Sequence, residues 1–106
     1  NQARNGAARE RRIRDDMIDH GWLLVARSAA SKGACDLVMV HPDHGQALVQ
    51  VGTAKKALGP ADRARLVTMA DLCSALPIVA VTLPGVGIKY RLVGRGTART
   101  WEGWQP

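Results

Sequence analysis

The sequence predicts one α/β domain: a mixed five-stranded sheet flanked by helices, in the order α-β-β-β-α-β-β. Three observations carry that expectation. A length of 106 residues suits a single compact domain. Five short apolar runs, several dense in β-branched residues, stand between turn residues. Two longer stretches repeat their apolar residues at helical spacing.

The first helix opens near Asn5-Gly6 and runs to about His20, where Gly21 supplies a left-handed stop. At 100° per residue, Glu10 falls between Ile13 and Met17 on the apolar face, while Arg11, Arg12, Asp15 and Asp19 lie mostly elsewhere. Trp22–Arg27 (WLLVAR) has strand length, and Ser28–Gly33, small and polar, reads as a loop. Cys35–His41 (CDLVMVH), the turn His41–Gly45, and Gln46–Val51 (QALVQV) form an antiparallel hairpin.

A loop from Gly52 to Gly59 carries Lys55 and Lys56. Pro60 then suits the first position of a second helix, on which Leu66, Met69, Cys73 and Leu76 recur, and Pro77 is expected to end it. Ile78–Leu83 (IVAVTL) reads as a buried strand and Ile88–Val93 (IKYRLV) as an alternating edge strand. Residues 1–93 make the domain, and 94–106 a basic tail whose Trp101 and Trp104 are expected to pack on the domain or at a dimer contact rather than on bases.

Composition narrows the function. Fifteen Lys and Arg face nine Asp and Glu, a formal charge of +6. Residues 1–14 hold five arginines against one glutamate, residues 86–106 hold four basic residues against one acidic, and the middle is nearly neutral. Arginine outnumbers lysine 11 to 4, and a planar guanidinium suits bidentate contacts to phosphate, so nucleic acid is the leading partner. A hydrophobic fraction of 46% argues against a disordered chain. No window reaches the roughly 18–20 apolar residues of a membrane span, and Asn1–Arg14 is no signal-peptide core, so a soluble, cytoplasmic protein is expected. Cys35 and Cys73, far apart in apolar surroundings, read as buried thiols rather than a disulfide.

Two polar residues stand where apolar ones are expected: Asp36 in the second strand and Gln50 in the third. A five-residue loop at 41–45 pairs position 36 with 50 on one face, and a four-residue loop does not. With the odd loop, Gly52 shares that face and Glu10 can approach from the first helix. Two acids and an amide oxygen suit a hard ion such as Mg²⁺, with Mn²⁺ able to substitute, and such an ion beside a phosphodiester polarises it and generates hydroxide. A zinc site on Cys35, His41 and His44 lacks a fourth ligand, and neither Ser28 nor Ser31 sits in a nucleophile elbow.

The order Glu10, then Arg27-Ser28-Ala-Ala-Ser31-Lys-Gly33, then Asp36-Leu-Val, then Leu48-Val-Gln50-Val-Gly52-Thr-Ala-Lys55-Lys56, resembles the archaeal-type Holliday junction resolvases and their phage relatives in the PD-(D/E)XK nuclease superfamily. The resemblance covers roughly residues 7–93. It implies a restriction-endonuclease-like fold for the five-stranded sheet and its helices, and a homodimeric endonuclease that resolves four-way DNA junctions in recombination and repair. By that resemblance Glu10 and Asp36 are metal ligands, and Gln50 stands where the second acid belongs. Ser28 and Ser31 match a loop near the scissile phosphate. Arg4, Arg9, Arg11, Arg12, Arg27, Lys32, Lys55 and Lys56 are the expected DNA contacts.

The departure is Gly52, at the place of the motif lysine. Three explanations stay open: Lys55 or Lys56 reaches back, the protein binds junctions without cutting them, or the lysine has been replaced at this position. A basic RNA-binding module is a further alternative.

Overall fold

The computed structural model describes residues 2–27, 35–53, 59–94 and 101–106. The chain opens with α1 (Gln2–Asp19), which begins a few residues earlier than its apolar pattern does. Gly21, at φ +95, makes the left-handed turn into Trp22 and β1 (Leu23–Arg27). β2 (Leu37–His41) and β3 (Gly45–Thr53) form the expected hairpin, closed by a turn at residues 42–44. Then come α2 (Pro60–Cys73), β4 (Ala75–Leu83), β5 (Gly87–Val93) and β6 (Trp101–Trp104).

The six strands form one sheet in sequence order, antiparallel except for β3 beside β4. That parallel pair needs a crossover, which α2 supplies. The sheet is mixed as expected, with one strand more than the sequence suggested, because part of the segment read as a tail returns to pair with β5. β5 is therefore an inner strand and β6 the edge.

The expected end of the second helix is corrected. Ser74, at φ 54, caps α2 with its N–H on the carbonyls of Ala70 and Asp71, and Leu76 and Pro77 belong to β4. Helical spacing at Leu76 misled because a buried strand is also apolar there. Pro77 pairs with Leu48 of β3 but lies before the ladder with β5 starts at Ile78, a position where a strand tolerates a missing N–H.

Each sheet face has its own core. α1 brings Ile13 and Met17, both fully buried, onto the face formed by Leu37, Met39, Ala47 and Val49. α2 brings Leu66 and Ala70 onto Leu48 and Val79 of the other face. At about 25 cal/mol per Å² of apolar surface, these two layers supply most of the drive to fold.

Candidate active site at one end of the sheet

β1 ends, β2 begins and β3 ends at the same end of the sheet, and the polar residues singled out in the sequence gather there. Ile13 and Met17 bury the face of α1 that also carries Glu10, whose side chain keeps 15% of its exposure. Its Oε1 accepts a hydrogen bond from Nε of Arg27, the last residue of β1, at 3.3 Å. Arg27 is 56% exposed, so the pair contributes at most about 1 kcal/mol to stability.

Arg27 pairs across the ladder with Leu37, and Asp36 precedes it. Asp36 is 5% exposed. Its N–H donates to the Val49 carbonyl at 2.9 Å, and its Oδ2 accepts the Val51 N–H at 2.8 Å. The carboxylate thus bonds β3 where β2 has stopped pairing, satisfying an amide that would otherwise lack a ladder partner. The hairpin register, Leu37 with Val49 through His41 with Gly45, sets Asp36 opposite Gln50 when carried one step further. This is the pairing that an odd loop predicts.

Gln50 is half-buried within β3. Along β3, Ala47, Val49 and Val51 serve the α1 core and Leu48 the α2 core, so Gln50 and Gly52 alternate onto the α2 face. Glu10 and Gln50 therefore share an end of the sheet but come from helix layers on opposite faces, with Asp36 in the strand edge between them. Among the described residues, no three His, Cys, Asp or Glu side chains form a metal-binding group.

The donors at this end fit a hard cation in kind, being carboxylate and amide oxygens. Cys35, beside Asp36, is a poor competitor: burial first, then the Asp36 and Cys73 charges, raise its thiol pKa and keep it protonated. His41 and His44 stand at the far end of the hairpin, about 20 Å of extended strand from Cys35, which rules out the zinc alternative among these residues.

Ser28, Ser31, Lys32, Lys55 and Lys56 lie outside the described residues, in the two segments that flank this end. Arg4, Arg9, Arg11 and Arg12 belong to α1, with Arg11 and Arg12 exposed and Arg9 half-buried. Arg12 also lines an open groove with Asp15, Asp16, Asp19 and His20. One charged residue went unmarked in the sequence reading: Arg63, 7% exposed on the packed face of α2. Its signal was present, since Arg63, Leu66 and Ala70 repeat at helical spacing.

A mixed sheet with α1 before it, α2 in its crossover, and acids gathered at the hairpin's open end defines a restriction-endonuclease-like α/β fold. Over 91% of this chain and 85% of the other, the structure is similar to Archaeoglobus fulgidus Hjc, a Holliday junction resolvase from an archaeal hyperthermophile, with a TM-score of 0.69 and 23% sequence identity. No family model and no curated protein sequence matches the chain.

Proposed function

We propose that this chain is a metal-dependent, structure-selective DNA endonuclease that nicks four-way junctions. The observation that carries the reading is the buried Asp36 held on β3 opposite Gln50, with the Glu10–Arg27 pair at the same end of the sheet, in a fold shared with a junction resolvase. Glu10, Asp36 and Gln50 would hold Mg²⁺ or Mn²⁺, which supplies phosphoryl polarisation and an acidified water. Arg27 holds the Glu10 carboxylate in place and offers the rest of its guanidinium to a phosphate. Ser28, Ser31 and Lys55 complete the proposed catalytic set, with Lys32, Lys56 and the arginines of α1 on the DNA backbone.

A junction has two-fold symmetry, so two copies would present two sites to opposed strands. The exposed apolar edge at β1, with Leu23 at 62% and Val25 at 59%, supports a homodimer.

The test is a labelled synthetic four-way junction with Mg²⁺. Symmetric paired nicks, absent from linear duplex, are expected. A junction that is shifted in a gel but never cut supports the second reading, binding without cleavage, which Gly52 favours by removing the ammonium from β3. Equal affinity for junction, linear duplex and RNA at matched salt overturns both.

A further inference from the structure

We infer that Arg63 of α2 supplies the positive charge that β3 lacks at Gly52, by binding a phosphate of the DNA at this end of the sheet. The inference rests on the nuclease reading above and deepens it.

Asp36 and Arg63 are the two buried charged residues among those described. Asp36 is tied to β3, whereas no described residue gives the Arg63 guanidinium a hydrogen bond or an ion pair. Its neighbour Arg65 takes the exposed Asp62, at 3.9 Å. No side-chain nitrogen of the described residues is both fully buried and unpartnered, so the Arg63 stem is enclosed while its head reaches the surface. Water thus reaches the guanidinium above its enclosed stem, and among the described residues no carboxylate pairs with it. A guanidinium held there on an enclosed stem is placed to take an anion from outside.

Its place in the fold says which anion. α2 returns antiparallel to β3 and β4, so its first turns lie over the C-terminal ends of those strands. Leu66 packs in one cluster with Leu48 of β3. Arg63 is about one helical turn, roughly 4.5 Å, nearer the N-terminus, a rise that covers between one and two strand residues. That step leads along the α2 face of β3 from Leu48 to Gln50 and Gly52. On β4 the same row is Pro77, Val79 and Val81, all apolar. Arg63 is thus a described cation set over the half of β3 where the motif lysine is missing, while Lys89 and Arg91, in the rows of Gly52 and Gln50, stand two strands away on β5. The helix adds its own positive end, with Gly59 at the N-cap and no side-chain capping bond.

The experiment uses the full chain, the four-way junction and Mg²⁺, with Arg63→Met to keep the stem, Arg63→Lys to keep the charge, and Gly52→Lys added to Arg63→Met. Gly52 lies in regular strand without a positive φ, so a side chain is tolerated there by the backbone. Arg63→Met is expected to lose about 10²-fold in cleavage rate while keeping its melting midpoint. Arg63→Lys should retain most activity, and Gly52→Lys should restore Arg63→Met by tenfold or more, which a merely structural role for Arg63 would not allow. A wild-type rate in folded Arg63→Met overturns the inference and leaves the nuclease reading standing.

If wild type cuts nothing with Mg²⁺ or Mn²⁺, the nuclease reading fails and junction affinity decides. Arg63→Met should then bind several-fold more weakly with a salt slope lower by about one, and unchanged binding overturns the phosphate contact. If Arg63→Met fails to fold, Arg63→Lys against Arg63→Gln carries the same comparison.

Discussion

The two ends of the sheet use their polar residues in opposite ways. At the open end of the hairpin, Glu10, Asp36, Gln50 and Arg63 put charge and amide where apolar residues would stabilise the fold more. At the closed end, rings and local hydrogen bonds leave little unsatisfied. Trp22, fully buried, stacks on His44 at 5.9 Å and lies 5.2 Å from His41 and 5.6 Å from Trp104. Its indole N–H donates to the Pro106 carbonyl at 3.4 Å, so the last residues of the chain are fastened to the start of β1. Nearby, Tyr90 packs edge-on against Trp104 and donates to Asp16 at 2.7 Å. One end carries buried charge and amide, and the aromatic contacts join the start of β1 to β6.

The largest expected effect belongs to the closed end. Trp22→Ala removes a buried indole and its contact to Trp104, and should destabilise the protein by about 3–5 kcal/mol in urea unfolding. Junction cleavage by the fraction still folded should be unchanged. A normal midpoint would show that the aromatic end is dispensable and would break the comparison. At the open end, Asp36→Asn should cost about 10³-fold in cleavage, on the order of 4 kcal/mol of barrier, with little loss of stability because an amide oxygen can still accept the Val51 N–H. If instead the variant unfolds and the residual folded protein cuts normally, Asp36 is a strand tie and not a ligand.

Most of the fold was legible because turn residues and periodicity agree with it. Pro60, Gly21 and the odd hairpin turn each fix a boundary or a register by local chemistry alone. β6 was not legible, since WEGW has no alternating apolar pattern and is held by partners 8 to 14 residues away, Val93 and Tyr90 at the two extremes. Leu76 and Pro77 were misplaced because the left-handed cap at Ser74 leaves no glycine or asparagine to mark it. At the site, Asp36 and Glu10 announced themselves as acids among apolar neighbours. The faces were harder: the helix that covers Gln50 is decided by the α2 crossover, and residue spacing does not encode that. Arg63 was overlooked for a related reason, since an arginine on a helix is ordinarily a solvated one.

A smaller effect tests the closed end itself, at the turn from α1 into β1. Gly21 carries φ +95, and a Cβ there would stand 2.9 Å from Nε2 of His41. Gly21→Ala should cost about 1–2 kcal/mol, from the left-handed backbone and the displaced imidazole together. His41→Ala should relieve the steric share and leave the backbone share, so that a double-mutant cycle returns a coupling of opposite sign to the single losses.

The smallest effect belongs to the aromatic contacts around Trp104, and it has a pH signature. Burial first, then the hydrogen bond and charge of Asp16, push the Tyr90 hydroxyl far above its ordinary value of 10.0. In the unfolded chain the same phenol ionises near pH 10, so above that pH the unfolded state binds fewer protons than the native state. Stability must then fall as pH rises, by up to about 1.4 kcal/mol per pH unit, and the contribution is fully present below pH 10. Tyr90→Phe should lose about 1 kcal/mol at pH 7, where the hydrogen bond to Asp16 is removed. It should also be less sensitive to alkali than wild type, so the two stability curves converge between pH 10 and 11. Curves that stay parallel through that window would mean that Tyr90 ionises as freely in the fold as outside it.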